Sequence, residues 1–225
     1  MTAAQLTQRL DKWERLAPLG ALAFLGTIVL GAVAIGETTP SSTAPAQESA
    51  GYFAEHQGAL LLNSGLVVLG GFAFFPLFLA ALWRAIRRTE GEGGIWGVAA
   101  LLAGVALLGP LIVQAVCWGA AALHAGEHRD PWVSAALMDL GDMGFLLFPI
   151  PAGLLMAATS AAAPPGTLLP RWLVRTGTAL GVVLIVGGVL AAGLAPVYFV
   201  LFGLWLVAVA TTMLLTAGQP RLVEP

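Results

Sequence analysis

Apolar residues in this chain do not alternate or recur at helical spacing over short stretches; they run on continuously. Six such runs stand out, from about Leu16 to Gly36, Gly58 to Trp83, Ile95 to Leu123, Trp132 to Ala161, Trp172 to Gly193, and from just after Pro196 to Ala217. Each has roughly the 20 residues that an α-helix needs to cross about 30 Å of hydrocarbon. Strands are disfavoured because an open sheet edge would leave backbone groups unpaired in lipid. The pattern predicts an all-α, polytopic membrane helix bundle of six transmembrane helices.

The polar residues between the runs give the topology. Arg9, Lys12, Arg15, Arg84, Arg87, Arg88, Arg171, Arg175 and Arg221 all fall on one side of a six-span chain, and only Arg129 falls on the other. Basic residues favour the cytoplasmic side. Both termini are therefore expected there, with 1–15 and 218–225 as cytoplasmic segments and 37–57 as an extracytoplasmic loop. Trp13, Trp83, Trp96, Trp132 and Trp172 lie near the expected interfaces, where an amphipathic indole is favoured. The stretch from Thr38 to Ala50 carries no basic residue and suits an outer loop ending in a short interfacial helix near Tyr52 and Phe53. Basic residues before the first run and Ala44-Pro45-Ala46 after it are features of a signal peptide. A run of about 20 apolar residues exceeds the 7–15 of a signal core, which favours a retained span.

Composition agrees with this reading. The 225 residues are 58% hydrophobic and 10% charged, against about 45–50% and about 25% in soluble domains. A single membrane domain accounts for the whole length. The net charge of −2 provides no basic surface for nucleic acid, and the single cysteine, Cys117, cannot form an intrachain disulfide. Pro76, Pro110, Pro149 and Pro151 fall inside spans and are expected to kink them. Gly177 with Gly181 and Gly188 with Ala192 mark a face of the fifth span for close helix packing.

Ionisable groups inside a bilayer are costly, about 2.5–3.5 kcal/mol each on insertion scales, and mark functional sites by default. Asp139 and Asp142 stand three apart on the fourth span, about 60° around the helix from each other and within mutual reach. Asn63 with Ser64 on the second span, and Gln114 with Cys117 on the third, lie at similar depth from the outer side. Together they suggest an outer polar pocket formed by spans two, three and four, with Asn63, Gln114, Asp139 and Asp142 as ligand-binding candidates. No Lys or Arg falls within a predicted span apart from Arg175, in the first turn of the fifth. The acidic pair would then share a proton, hold a cation, or sit ionised in a wet vestibule. If the helix instead rises above the membrane, the pair lies among headgroups. All three histidines also fall on the outer side: His56 before span two, and His124 and His128 four apart after span three. That spacing allows two helix residues to bind one metal, so a zinc ion on His56, His124 and His128 is conceivable. A solvated-loop role competes with it.

Three functions fit these residues. One is binding or transport of a small solute or cation at the outer pocket. Another is an integral membrane enzyme on a lipid-soluble substrate, using Asp139 or Asp142 as general acid or a His-bound zinc to activate water. The last is a scaffold or accessory subunit, as a homo-oligomer or with a membrane partner. The sequence has no Gly-x-Ser-x-Gly elbow, no His-Glu-x-x-His and no phosphate-cradling glycine loop.

At Tyr52–Gly58 (Tyr-Phe-Ala-Glu-His-Gln-Gly) and at Leu169–Leu173 (Leu-Pro-Arg-Trp-Leu) the chain resembles a large group of uncharacterised six-helix membrane proteins of high-GC bacteria. In that group a Tyr- and His-bearing segment opens the second helix and a Leu-Pro-Arg-Trp turn leads into the fifth. Gln57 departs from the arginine frequent there. The resemblance implies this topology and a bacterial plasma-membrane location, and carries no activity.

Overall fold

The computed structural model describes residues 15–36, 39–41, 43–90, 94–126, 130–163 and 168–217. Arg9, Lys12, Trp13, His128, Arg129 and Arg221, and the expected segments 1–14 and 218–225, lie outside the described residues. Within them the chain is helical throughout: α1 (Leu19–Ile35), α2 (Ala46–Glu55), α3 (Gln57–Leu69), a π-helical turn (Gly70–Phe74), α4 (Phe75–Glu90), α5 (Trp96–His124), α6 (Pro131–Leu147), α7 (Pro149–Ala162), α8 (Arg171–Leu190), a 3₁₀ turn (Ala192–Leu194) and α9 (Ala195–Ala217). The segments Gln57–Glu90, Trp96–His124, Pro131–Ala162, Arg171–Leu190 and Ala192–Thr216 are each long and apolar enough to cross a membrane. The 17 residues of α1 make a shorter apolar helix, near the lower limit for spanning. The fold is the expected all-α helical bundle of a polytopic membrane protein.

Its outer surface confirms the solvent it is built for. Leu190, Val33, Val189 and Phe72 are all more than 60% exposed, which a water-facing surface would not tolerate in such number. Trp96, Trp132 and Trp172 are exposed near helix ends, where the interface is expected.

The prolines act in three different ways. Pro76 follows the π-turn directly: its ring clashes with the carbonyl four residues back, in Phe72, and widening the preceding turn relieves that clash. Pro149 and Pro151 break the fourth span into α6 and α7 at Phe148, whose N–H bonds to Phe145 O in a tighter turn at 3.3 Å. Pro110 is absorbed within α5.

Close approach at glycines holds the helices together. A Cβ on Gly181 would lie 2.8 Å from Gly153 O and 3.0 Å from Ala157 N, so α7 and α8 meet backbone to backbone. The stripe on the fifth span, Gly177, Gly181 and Gly188, is thus used inside the chain against α7 and α9. A second stripe, not singled out from the sequence, joins α1 to the second span. Gly31 abuts Asn63, Thr27 abuts Gly70, and Gly20 abuts Phe74 O. The interior is filled by aromatic rings stepping from Phe145 through Phe148 and Phe202 to Trp205, with centroids 5.5–6.3 Å apart.

The basic residues gather at one end. Thr89 Oγ1, beside Arg88 at the end of α4, donates to Ala162 O at the end of α7 at 3.3 Å, and Arg171 and Arg175 open the helix that follows. Glu90 Oε2 accepts from Gly97 N–H at 2.9 Å, capping the first turn of α5 at this same end.

Gly181→Val should lower thermal stability in detergent by about 1–3 kcal/mol, since branched carbon cannot fit where two backbones touch. Gly65→Ala, with open space around its Cα, should melt as the wild type does. Equal melting of Gly181→Val and wild type would contradict this packing.

Candidate functional site

The end opposite the basic one carries a second, smaller core of Phe53, Leu60, Trp118, Ala121, Ala122 and Met138. It exists because α2 folds back over the ends of α5 and α6 that lie away from the basic residues. In α2, Ala46, Ser49 and Phe53 share a buried face at helical spacing while Glu48 and Glu55 point away from it. A short helix is present where one was expected near Tyr52 and Phe53, and it forms a cover. Phe53 meets the Trp118 ring edge-on at 6.2 Å. Gln57, at the start of α3, donates from Nε2 to Ala122 O at 3.0 Å and fixes the corner.

Beneath this cover, α5 and α6 run antiparallel in close contact. Ser134 Oγ donates to Ala121 O at 3.2 Å near the outer end. Two turns deeper, Gly141 leaves room for an indole: a Cβ there would lie 2.5 Å from Trp118 Cδ1 and 2.9 Å from its Nε1. The ring seated in that space directs Nε1–H to Asp142 Oδ1 at 3.1 Å. Trp118 is the partner that the sequence reading did not find. Gly144 then lies against the α5 backbone at Pro110 and Gln114.

Asp139 and Asp142 begin about 12–17 Å along α6 from Pro131, at 1.5 Å per residue. Asp142 is half-buried and Asp139 is exposed. Asp139 lines a cleft of about 170 Å³ between the start of α2 and α6, together with Ser49, Trp132 and alanine and methionine side chains. The other candidates disperse. Asn63 packs against Gly31 of α1, and it is Ser64 that turns toward α5, with its Oγ 3.0 Å from where a Gly119 Cβ would be. Ser64 Oγ is satisfied by Leu60 O at 2.8 Å. Gln114 is half-buried one turn before Trp118, on the same side of α5. Cys117 is buried as a free thiol.

Of the histidines, His56 stacks on Tyr52, with centroids 4.5 Å apart, and its Nδ1 lies 3.0 Å from Tyr52 O. His124 is exposed, with Nδ1 2.9 Å from Ala120 O. His128, the third weak zinc candidate, lies outside the described residues. Among the described residues no three His, Cys, Asp or Glu side chains come together as a metal site would require.

A polar cluster at the other end was not anticipated. Ser160 Oγ, Thr159 Oγ1 and Trp205 Nε1 are buried without hydrogen-bond partners, and Ser160 and Trp205 converge on Gly177. Thr159 and Ser160 lie on α7 and Trp205 on α9, toward the end that carries the basic residues.

The described residues include Arg15, Arg84, Arg87, Arg88, Arg171 and Arg175 as their only Lys or Arg side chains, and all belong to the basic end. Among the described residues the acidic turn of α6 is met by the Trp118 indole N–H and by no Lys or Arg side chain. Comparison with protein-family models, with curated proteins and with solved structures gives no match.

The Trp118–Asp142 bond joins a neutral donor to a carboxylate, a class contributing about 1.5–3 kcal/mol. Trp118→Phe and Asp142→Leu should each destabilise the protein, and the double variant should lose less than the two losses combined. Strict additivity in a thermal-unfolding cycle would show that the two side chains do not interact.

Proposed function

We propose that this multi-pass membrane protein binds a small cation or cationic solute at the acidic turn of α6, from the extracytoplasmic side. The observation that carries the reading is the division of labour between two carboxylates one turn apart. Asp142 is anchored by Trp118 beneath a hydrophobic cover, whereas Asp139 opens into a cleft. Two carboxylates this close repel when both are ionised, and a cation or a shared proton relieves that repulsion. The distribution of basic residues supports the side: they gather at the far end, which the positive-inside rule makes cytoplasmic. The membrane is the bacterial plasma membrane, on the resemblance at Tyr52–Gly58 and Leu169–Leu173. Transport is the activity such a site would serve, with the broken span at Phe148 and the π-turn at Gly70–Phe74 as elements able to yield.

Proteoliposomes containing the wild-type protein should take up a monovalent cation or small organic cation faster than empty liposomes. Asp139→Asn/Asp142→Asn should reduce that uptake at least about tenfold, the loss expected for removing charge-assisted contacts. Equal uptake by wild type and double variant would overturn the reading.

A further inference from the structure

The cleft between α2 and α6 is more selective than a bare acidic surface. Its side-chain walls, Ala44, Ala46, Ala135, Ala136 and Met138, present methyl groups and one thioether, and Trp132 adds an aromatic ring. Only two side chains in the lining carry oxygen, Asp139 and Ser49. Ser49 is 1% exposed and its Oγ has no hydrogen-bond partner. A buried hydroxyl left unsatisfied is costly, and an incoming donor would relieve that cost.

We infer that this cleft binds a primary alkylammonium group, with Asp139 as counter-charge and Ser49 Oγ as a second acceptor. The inference deepens the reading above, on which it rests, by naming the class of ligand. An ammonium carries three donors and no acceptor, which matches the two carboxylate oxygens of Asp139 and the hydroxyl oxygen of Ser49. A bare metal ion fits poorly: calcium takes 6–8 oxygen ligands and magnesium six in near-ideal octahedral array, far more than one carboxylate and one hydroxyl provide. An anion would meet the Asp139 carboxylate. The volume of about 170 Å³ falls below the 300–1,000 Å³ typical of drug-sized ligands, so the bound group is small. The methyl-lined walls suit a short hydrocarbon next to the charge, and the Trp132 face is a surface that cations favour. Trp132 also marks the membrane interface, so the ammonium can belong either to a free amine or to an ethanolamine lipid headgroup.

The test uses the full chain in phosphatidylcholine nanodiscs, titrated calorimetrically with ethylammonium chloride and, separately, with ethanol and with sodium chloride. Ethylammonium should bind with saturation and ethanol should not. Asp139→Asn should weaken ethylammonium binding about tenfold or more and Ser49→Ala about threefold or more, in line with one charge-assisted and one neutral hydrogen bond. Thr178→Ala, on the exposed side of α8, controls for folding and should bind as wild type. Nanodiscs containing phosphatidylethanolamine separate the two sources: a raised apparent Kd for ethylammonium identifies the lipid headgroup as occupant, and an unchanged one identifies a free amine. Absence of saturable ethylammonium binding in a folded wild-type protein, or wild-type affinity in Asp139→Asn, overturns the inference. If sodium binds and ethylammonium does not, the ligand class is wrong while the cation-binding reading stands; if neither binds, both fall.

Discussion

Hydrocarbon gives helices little hydrophobic reason to associate, because lipid tails are as apolar as the side chains they would replace. What remains is how closely two backbones can come, and in this bundle glycines set that distance. Gly153 and Gly181 bring α7 onto α8, Gly20, Gly31 and Gly70 bring α1 onto the second span, and Gly141 and Gly144 bring α6 onto α5. The acidic turn depends on the last of these. Trp118 reaches Asp142 only because position 141 has no side chain, so a packing rule and a chemical contact share one residue. The Trp118–Asp142 contact is built from the same close approach that holds the bundle.

A chain of events links sequence to site at the outer end. The buried face of α2 places Phe53 over Trp118 and Ser49 over α6. That leaves two environments on one helix turn: an inner carboxylate restrained by an indole and an outer one facing a small cleft. The two aspartates look equivalent in the sequence and are not equivalent in the fold.

The spans themselves were legible in the sequence to within a few residues, apart from a second span that runs on to Glu90, because uninterrupted hydrophobicity is a strong signal and lipid enforces helices. A short helix near Tyr52–Phe53 and a kink at Pro149 could also be read, the second from the geometry of proline. Rotation about each helix axis could not. A span that is apolar on every side carries no pattern to say which face meets which neighbour, so Asn63 and Ser64, adjacent in sequence, could not be sorted between α1 and α5. The value of Gly141 was hidden for the same reason: its meaning comes from an indole 23 residues earlier in the chain. A small residue aligned with a large aromatic on the preceding antiparallel span was the signal available. The approach of Ser160 and Trp205 to Gly177 needed α9 in place and had no local sign at all.

The wide turn at Gly70–Phe74 has a consequence for how the second span is phased. One additional residue per turn rotates everything on the outer side by roughly 100° relative to the inner portion. Asn63 finds Gly31, and Ser64 finds Gly119, only in this phase. Shortening the chain by a single residue there would restore a straight rod and swing both side chains around the cylinder, away from the glycines that accommodate them. The bulge thus acts as a vernier, letting one continuous rod satisfy two neighbours whose spacing no regular helix could match.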